Sequence, residues 1–145
     1  MITGISHITL IVKDLYKTAD LFKKIFAAKE VYSRSDSTVK YFLINDLWIA
    51  LNQGEPLPVR SYNHIAFKIS EDDFDNYIEK IKNAGAKIMP ERPDRIRSKG
   101  EGRSIYFYDF DNHLFELHTG TLSERLRGYA QDSSNHEGDL ACQTM

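Results

Sequence analysis

Apolar positions fall into two kinds of run along this chain, and the runs recur in the same order twice. GISHITLIV (4–12) is short and rich in β-branched residues, which predicts a strand. DLYKTADLFKKIF (14–26) spaces Leu15, Ala19, Leu21, Phe22 and Phe26 as one face of a helix, with Asp14 placed to cap it. Three strand-like pieces follow, KEVYS (29–33), KYFLIN (40–45) and LWIALN (47–52), separated by short polar breaks. The second half replays this order. YNHIAFKI (62–69) is a strand, and Ser70 is placed to cap a helix over 71–85 with Phe74, Tyr77, Ile78 and Ile81 as its apolar stripe. Gly85 suits the end of that helix. AKIMP, SIYFYDF and HLFELHT supply three more strands.

The chain therefore reads as βαβββ twice, with repeats at about 1–55 and 58–122. Each half leaves one face of a curled sheet to cover, so pairing two halves is the natural solution. This predicts an α+β fold, a cupped mixed sheet with helices outside and a site on the concave side. One domain is expected over 1–130. The last stretch, QDSSNHEGDLACQTM, has no apolar periodicity, so 131–145 is expected to be a flexible tail.

Composition narrows the function without naming it. The chain has 145 residues, 41% hydrophobic and 28% charged, as an ordinary globular domain does. A formal charge of −2 gives no reason to expect nucleic-acid or anionic-membrane binding. Met1 to Val12 has no basic leader and is interrupted by Ser6 and His7, so it reads as neither signal peptide nor membrane span. Cys142 is the only cysteine, which excludes an intrachain disulfide and fits an expected cytoplasmic location.

Three polar residues stand out inside the strands. His7 and His64 occupy the same position in the two repeats, each in an apolar strand. Glu116 lies in the last strand of the second repeat, in a run of Leu and Phe where a carboxylate is costly to bury alone. A single strand histidine is usually a hydrogen-bonded core residue; a repeated pair with a carboxylate points to a metal. Two imidazoles and one carboxylate with open positions suit Mn²⁺, Fe²⁺ or Zn²⁺. The repeat places Ala50 opposite Glu116, so the first half has no fourth ligand there. His118, on the face of Glu116, takes a supporting role in this reading.

The segments H-I-T-L, N-H-I-A-F and F-E-L-H resemble the vicinal-oxygen-chelate superfamily. SIYFYDFDNHLFELHTGTLSERL (104–126) resembles the fosfomycin resistance proteins, the FosX-like branch in particular, and the likeness runs from Met1 to about Tyr129. The resemblance implies a metal-dependent enzyme that opens the epoxide ring of the phosphonate antibiotic fosfomycin. It implies Mn²⁺ held by His7, His64 and Glu116. It also implies a homodimer with strands exchanged between subunits, His7 coming from one chain and His64 with Glu116 from the other. Ser104, Tyr106 and Arg125 match the substrate-holding positions, with Thr9 and Trp48 lining the pocket. The residues themselves agree. Ser104 and Tyr106 share a strand face as two hydroxyl donors, and Arg125 offers a fork suited to phosphonate oxygens. In the loop 90–104, Arg92, Lys99 and Arg103 are further candidate cations, while Arg95 and Arg97 read as solvated.

One position departs from the pattern. The FosX-like branch adds water, with a glutamate as general base just before the strand that here begins at Lys40. Val39 stands at that place and cannot accept a proton. Thr9, Asp36 and Glu101 are then the catalytic candidates, the two carboxylates as replacement bases. The loop before Tyr41 is short, and with LWIALN it is more like the branches that add glutathione or bacillithiol. Water addition is the expected reaction, with thiol transfer as the alternative. Further alternatives are another metal enzyme of the superfamily, such as a glyoxalase or extradiol dioxygenase, or a metal-free drug-binding protein. Ala50 argues against the first of these, the phosphonate-holding residues against the second, and the three donors against the last.

Overall fold

The structure, a computed structural model, describes residues 1–90 and 101–131. Arg92, Lys99 and the expected tail from 132 onward lie outside the described residues. The elements run β1 (His7–Val12), α1 (Leu15–Phe26), β2 (Lys29–Ser33), β3 (Val39–Ile44), β4 (Leu47–Gln53), β5 (His64–Lys68), α2 (Phe74–Asn83), β6 (Lys87–Ile88), β7 (Ser104–Tyr108) and β8 (Leu114–His118). A further helix, α3, runs over 122–131 of the described residues.

The repeat read from the sequence is the repeat of the fold. Two four-stranded sheets form, ordered β1-β4-β3-β2 and β5-β8-β7-β6. In each the first strand lies parallel to the fourth, and the remaining pairs are antiparallel. Register extends the match to single residues. Thr9 pairs with Ala50 as Ala66 pairs with Glu116, so Ala50 and Glu116 are equivalent.

Strand alternation then sorts the two faces of each sheet. In β1, Leu10 and Val12 are buried while His7, Thr9 and Ile11 are exposed. The buried face meets α1, whose Asp14 cap accepts from the Lys17 backbone N–H at 2.9 Å. Phe22 of α1 reaches Phe42 of the first sheet at 6.1 Å between ring centroids and Phe115 of the second at 5.8 Å. Phe26 reaches Phe67 at 4.9 Å and Phe107 at 6.0 Å. One helix thus covers both sheets, and the faces turned away from it carry the polar residues singled out above.

Three local details differ from the periodicity. The helix expected over 71–85 opens as a 3₁₀ turn, Glu71–Asp73, because the Ser70 hydroxyl bonds the Asp73 carboxylate at 3.0 Å instead of capping a backbone N–H. The AKIMP strand is reduced to Lys87–Ile88, with the Met89 backbone N–H donating to the Tyr106 carbonyl oxygen at 2.7 Å beyond it. Helix α3 was not anticipated, although TLSE announces it. The Glu124 carboxylate accepts from the Thr121 backbone N–H at 2.6 Å, and the Thr121 hydroxyl accepts from the Glu124 N–H at 3.2 Å, a reciprocal cap. No helix among the described residues is long and apolar enough to cross a membrane.

Because Phe22 joins the two sheets, Phe22→Ala is expected to cost about 3–5 kcal/mol in urea denaturation. Asp20→Ala, which removes an exposed pair with Lys24, should change stability by less than about 0.5 kcal/mol. Equal effects would contradict the packing described.

Candidate metal and anion site

Glu116 is 4% exposed, and three strands of the second sheet supply its surroundings. Its register partners are Ala66 on β5 and Tyr106 on β7. The Ser104 hydroxyl donates to Oε1 at 2.6 Å, and Oε2 faces His64 Nε2 at 2.9 Å. Having used its proton on Glu116, Ser104 can only accept from His118 Nδ1–H, 2.8 Å away. His118 therefore holds Ser104, the supporting role expected of it. Burial pushes the Glu116 carboxyl up, but the Ser104 and Tyr106 hydroxyls and then His64 outweigh it, leaving the group below the ordinary glutamate range. Burial pushes the Tyr106 phenol above its usual value, helped by Tyr62 and the Glu116 charge, so it stays a donor.

The His64 ring is oriented from behind. Its Nδ1 lies 2.8 Å from the Tyr62 carbonyl oxygen, which can only accept, so Nδ1 carries a proton. A neutral ring then points its Nε2 lone pair at the Glu116 carboxylate. A proton between the two groups or a cation shared by both satisfies that contact. Two donors each roughly 2.1 Å from a metal ion, at right angles, lie about 3 Å apart, close to the separation here. A backbone carbonyl behind a ligating imidazole is also the usual support of a metal histidine. The pair fits a divalent ion.

Arg125 on α3 joins this group. A hollow of ≈ 220 Å³ opens between Glu116, His118, Thr121 and Arg125. Gly120 permits the crossing above it, since a side-chain carbon there would lie 2.3 Å from the Glu101 carbonyl oxygen.

His7 stands apart. It sits on the open face of the first sheet, its ring tilted by 32° against that of Trp48 at 4.3 Å between centroids, and beside exposed Thr9. Among the described residues no three His, Cys, Asp or Glu side chains come together as a metal site requires. One chain thus brings His64 and Glu116 together and keeps the third expected ligand elsewhere. Asp36 is exposed, its carboxyl held low by the Thr38 hydroxyl and backbone N–H and then by Arg34. Glu101 is buried where its own segment packs on Gly120. Arg103, expected as a substrate cation, lies over the Phe74 ring at 3.6 Å and pairs with Glu71 at 3.1 Å and Asp75 at 3.4 Å, on the helix side. Tyr62, which orients His64 and lies 3.4 Å from the Tyr106 hydroxyl, escaped the sequence reading. Its place two residues before a strand histidine was the available signal.

The profile of the glyoxalase/bleomycin resistance protein/dioxygenase superfamily matches residues 4–117. The fosfomycin resistance protein FosX of Listeria monocytogenes is 58% identical over 134 residues, covering 89% of this chain and 98% of that protein. The chain belongs to the fosfomycin resistance proteins of this superfamily. A crystal structure of a FosX mutant from the same organism, complexed with Mn(II) and 1S,2S-dihydroxypropylphosphonic acid, superposes with a TM-score of 0.82 at 57% identity, covering 89% of this chain and 99% of that one. The metallothiol transferase FosB of Staphylococcus saprophyticus is 40% identical over 136 residues, covering 91% of this chain and 87% of that protein. The paired βαβββ architecture is thus that of the fosfomycin resistance proteins, as its resemblance implied.

Ser104 makes a pH prediction possible within this family member. A depressed carboxyl contributes stability above its unfolded pKa and loses it as pH falls through the folded value. Removing the hydroxyl by Ser104→Ala should raise the Glu116 midpoint in carbon-13 NMR of the metal-free protein. The acid limb of unfolding should move to higher pH with it. An unmoved midpoint would show that the hydroxyl does not hold the charge.

Proposed function

We propose that this protein opens the epoxide of fosfomycin with Mn²⁺ and adds water, giving the diol. The observation that carries the reading is the His64–Glu116 pair at 2.9 Å, backed by the Tyr62 carbonyl and opening on a hollow that holds Arg125. The identity to FosX supports water, and the Mn(II) and diol phosphonate in the FosX mutant crystal support the metal and the product class.

In this reading the ion is held by His64, Glu116 and His7 of the partner subunit in a strand-exchanged homodimer. The apolar fringe suits such a partner. Ile11 and Tyr32 are exposed on the first sheet, and Leu57 and Val59 in the segment before β5. The bound metal supplies Lewis-acid stabilisation of the oxygen that leaves the ring carbon. Arg125 binds the phosphonate beside Tyr106, with Thr9 and Trp48 as the opposite wall and Arg92 and Lys99 as further cations. Held this way, the epoxide presents one ring carbon to the nucleophile. A bond forms from the water oxygen to that carbon, the carbon–oxygen bond of the ring breaks, and the water proton ends on the freed alkoxide. The domain is 1–130, and its place is the cytoplasm, a reading supported by the single cysteine, Cys142.

A second reading is favoured by one position. Val39, half-buried on the open face of β3, brings no base to the nucleophile, and the depressed, exposed Asp36 is a poor substitute. A thiol has a pKa of about 8.5 and needs less help. Its sulfur would bond to the ring carbon, the same carbon–oxygen bond would break, and the thiol proton would pass to the alkoxide. The FosB relative supports this chemistry.

Product analysis by phosphorus-31 NMR of fosfomycin with Mn²⁺, with and without glutathione or bacillithiol, tests both. Diol without thiol is the expected result, a thioether alone would establish the second reading, and unchanged drug would contradict both. Glu116→Ala should lower the rate at least about 100-fold. Val39→Glu should raise diol formation by roughly tenfold or more, since a positioned base contributes on the order of 10²–10⁴. No gain would place the base elsewhere.

A further inference from the structure

Asn52 sits on the open face of the first sheet, and its amide oxygen has no hydrogen-bond partner among the described residues. Alternate residues of β4, Trp48, Ala50 and Asn52, pair with His7, Thr9 and Ile11 on one side. On the other side they pair with Leu43, Tyr41 and Val39. The cross-strand neighbours of Asn52 are therefore two hydrocarbon side chains, Ile11 and Val39. Its Oδ1 is buried without a hydrogen-bond partner among the described residues. Leaving such an oxygen unpaired costs about 1–3 kcal/mol, so packing alone would favour an apolar residue here.

The second sheet shows what this pair of positions does when both members are polar. By register, Asn52 is equivalent to His118 and Val39 to Ser104. Ser104 and His118 bond each other at 2.8 Å and hold Glu116. In the first sheet the valine cannot answer the amide oxygen, and Ala50, in the place of Glu116, gives it nothing to hold. The oxygen is left for something that enters the cup beside Val39. Turned about its last bond, the amide presents a carbonyl acceptor or an NH₂ donor at the same place.

We propose that Asn52 is a positioning residue for the nucleophile of ring opening, a role that rests on the function proposed above. It hydrogen-bonds the incoming water or thiol from the Val39 side of the cup and aims it at the ring carbon. An amide is not a base at neutral pH, so Asn52 orients the nucleophile and leaves its proton in place. This is how a site with valine at position 39 keeps a polar contact to the attacking group.

The test compares Asn52→Leu, Asn52→Asp and wild type as Mn²⁺-loaded full-length protein, with fosfomycin and with water alone or with added thiol. Asn52→Leu should lower kcat about tenfold or more, with the KM for fosfomycin and the Mn²⁺ titration midpoint within about twofold of wild type. Asn52→Asp should restore kcat and give it a new pH dependence, rising as the added carboxylate ionises. A folded Asn52→Leu protein with wild-type kcat would overturn the proposal. So would equal losses in both variants with an unchanged pH profile, the mark of a merely structural role. If Asn52→Leu does not fold, the pH profile of Asn52→Asp decides alone. Wild-type protein that leaves fosfomycin intact under every condition would instead overturn the function on which the proposal rests.

Discussion

A carboxylate that is 4% exposed must be held by its neighbours, and the second sheet is arranged around that requirement. Ser104 and Tyr106 reach Glu116 from β7, and His64 reaches it from β5. They meet only if β5 runs parallel to β8 and β7 antiparallel to it, in the observed register. A shift of one residue would turn all these groups toward α1 and the phenylalanine core. The same core that stabilises the fold therefore fixes the site, because it decides which face of each strand is left for chemistry.

The two sheets are copies in topology but not in their open faces. Where the second has Glu116, Ser104 and His118, the first has Ala50, Val39 and Asn52. One face is an anchored charge with a nearby guanidinium. The other is an aromatic wall, Tyr41 and Trp48, with one imidazole. Neither is a complete site. The helix that joins them covers their opposite faces, so within one chain the open faces are turned away from their shared packing. In the homodimer proposed above, pairing unlike halves from two copies would bring the third donor to the first two.

Much of this was legible in the sequence. The alternation in HITLIV and HLFELH is strict enough to assign faces, and the repeat alone places Ala50 opposite Glu116. What escaped depends on which partner each polar group finds. Arg103 belongs to a cationic loop by composition, yet Glu71 and Asp75 at the start of α2 draw it to the other side of the sheet. Ser70 looks like a helix cap until Asp73 takes its hydroxyl. Helix α3 is marked by its reciprocal Thr121–Glu124 cap. The orphaned oxygen of Asn52 is invisible to any pattern of polar and apolar letters.

The claim at the centre of this account is that the site is shared between copies, and subunit mixing tests it directly. His7→Ala and Glu116→Ala chains, each inactive alone, would be co-expressed or refolded together. In a mixed dimer with shared sites one site carries both changes and the other carries neither. Random pairing should then recover about a quarter of wild-type fosfomycin turnover. Turnover no higher than that of either parent, in a preparation shown to contain mixed dimers, would place all three ligands within one chain and contradict the account.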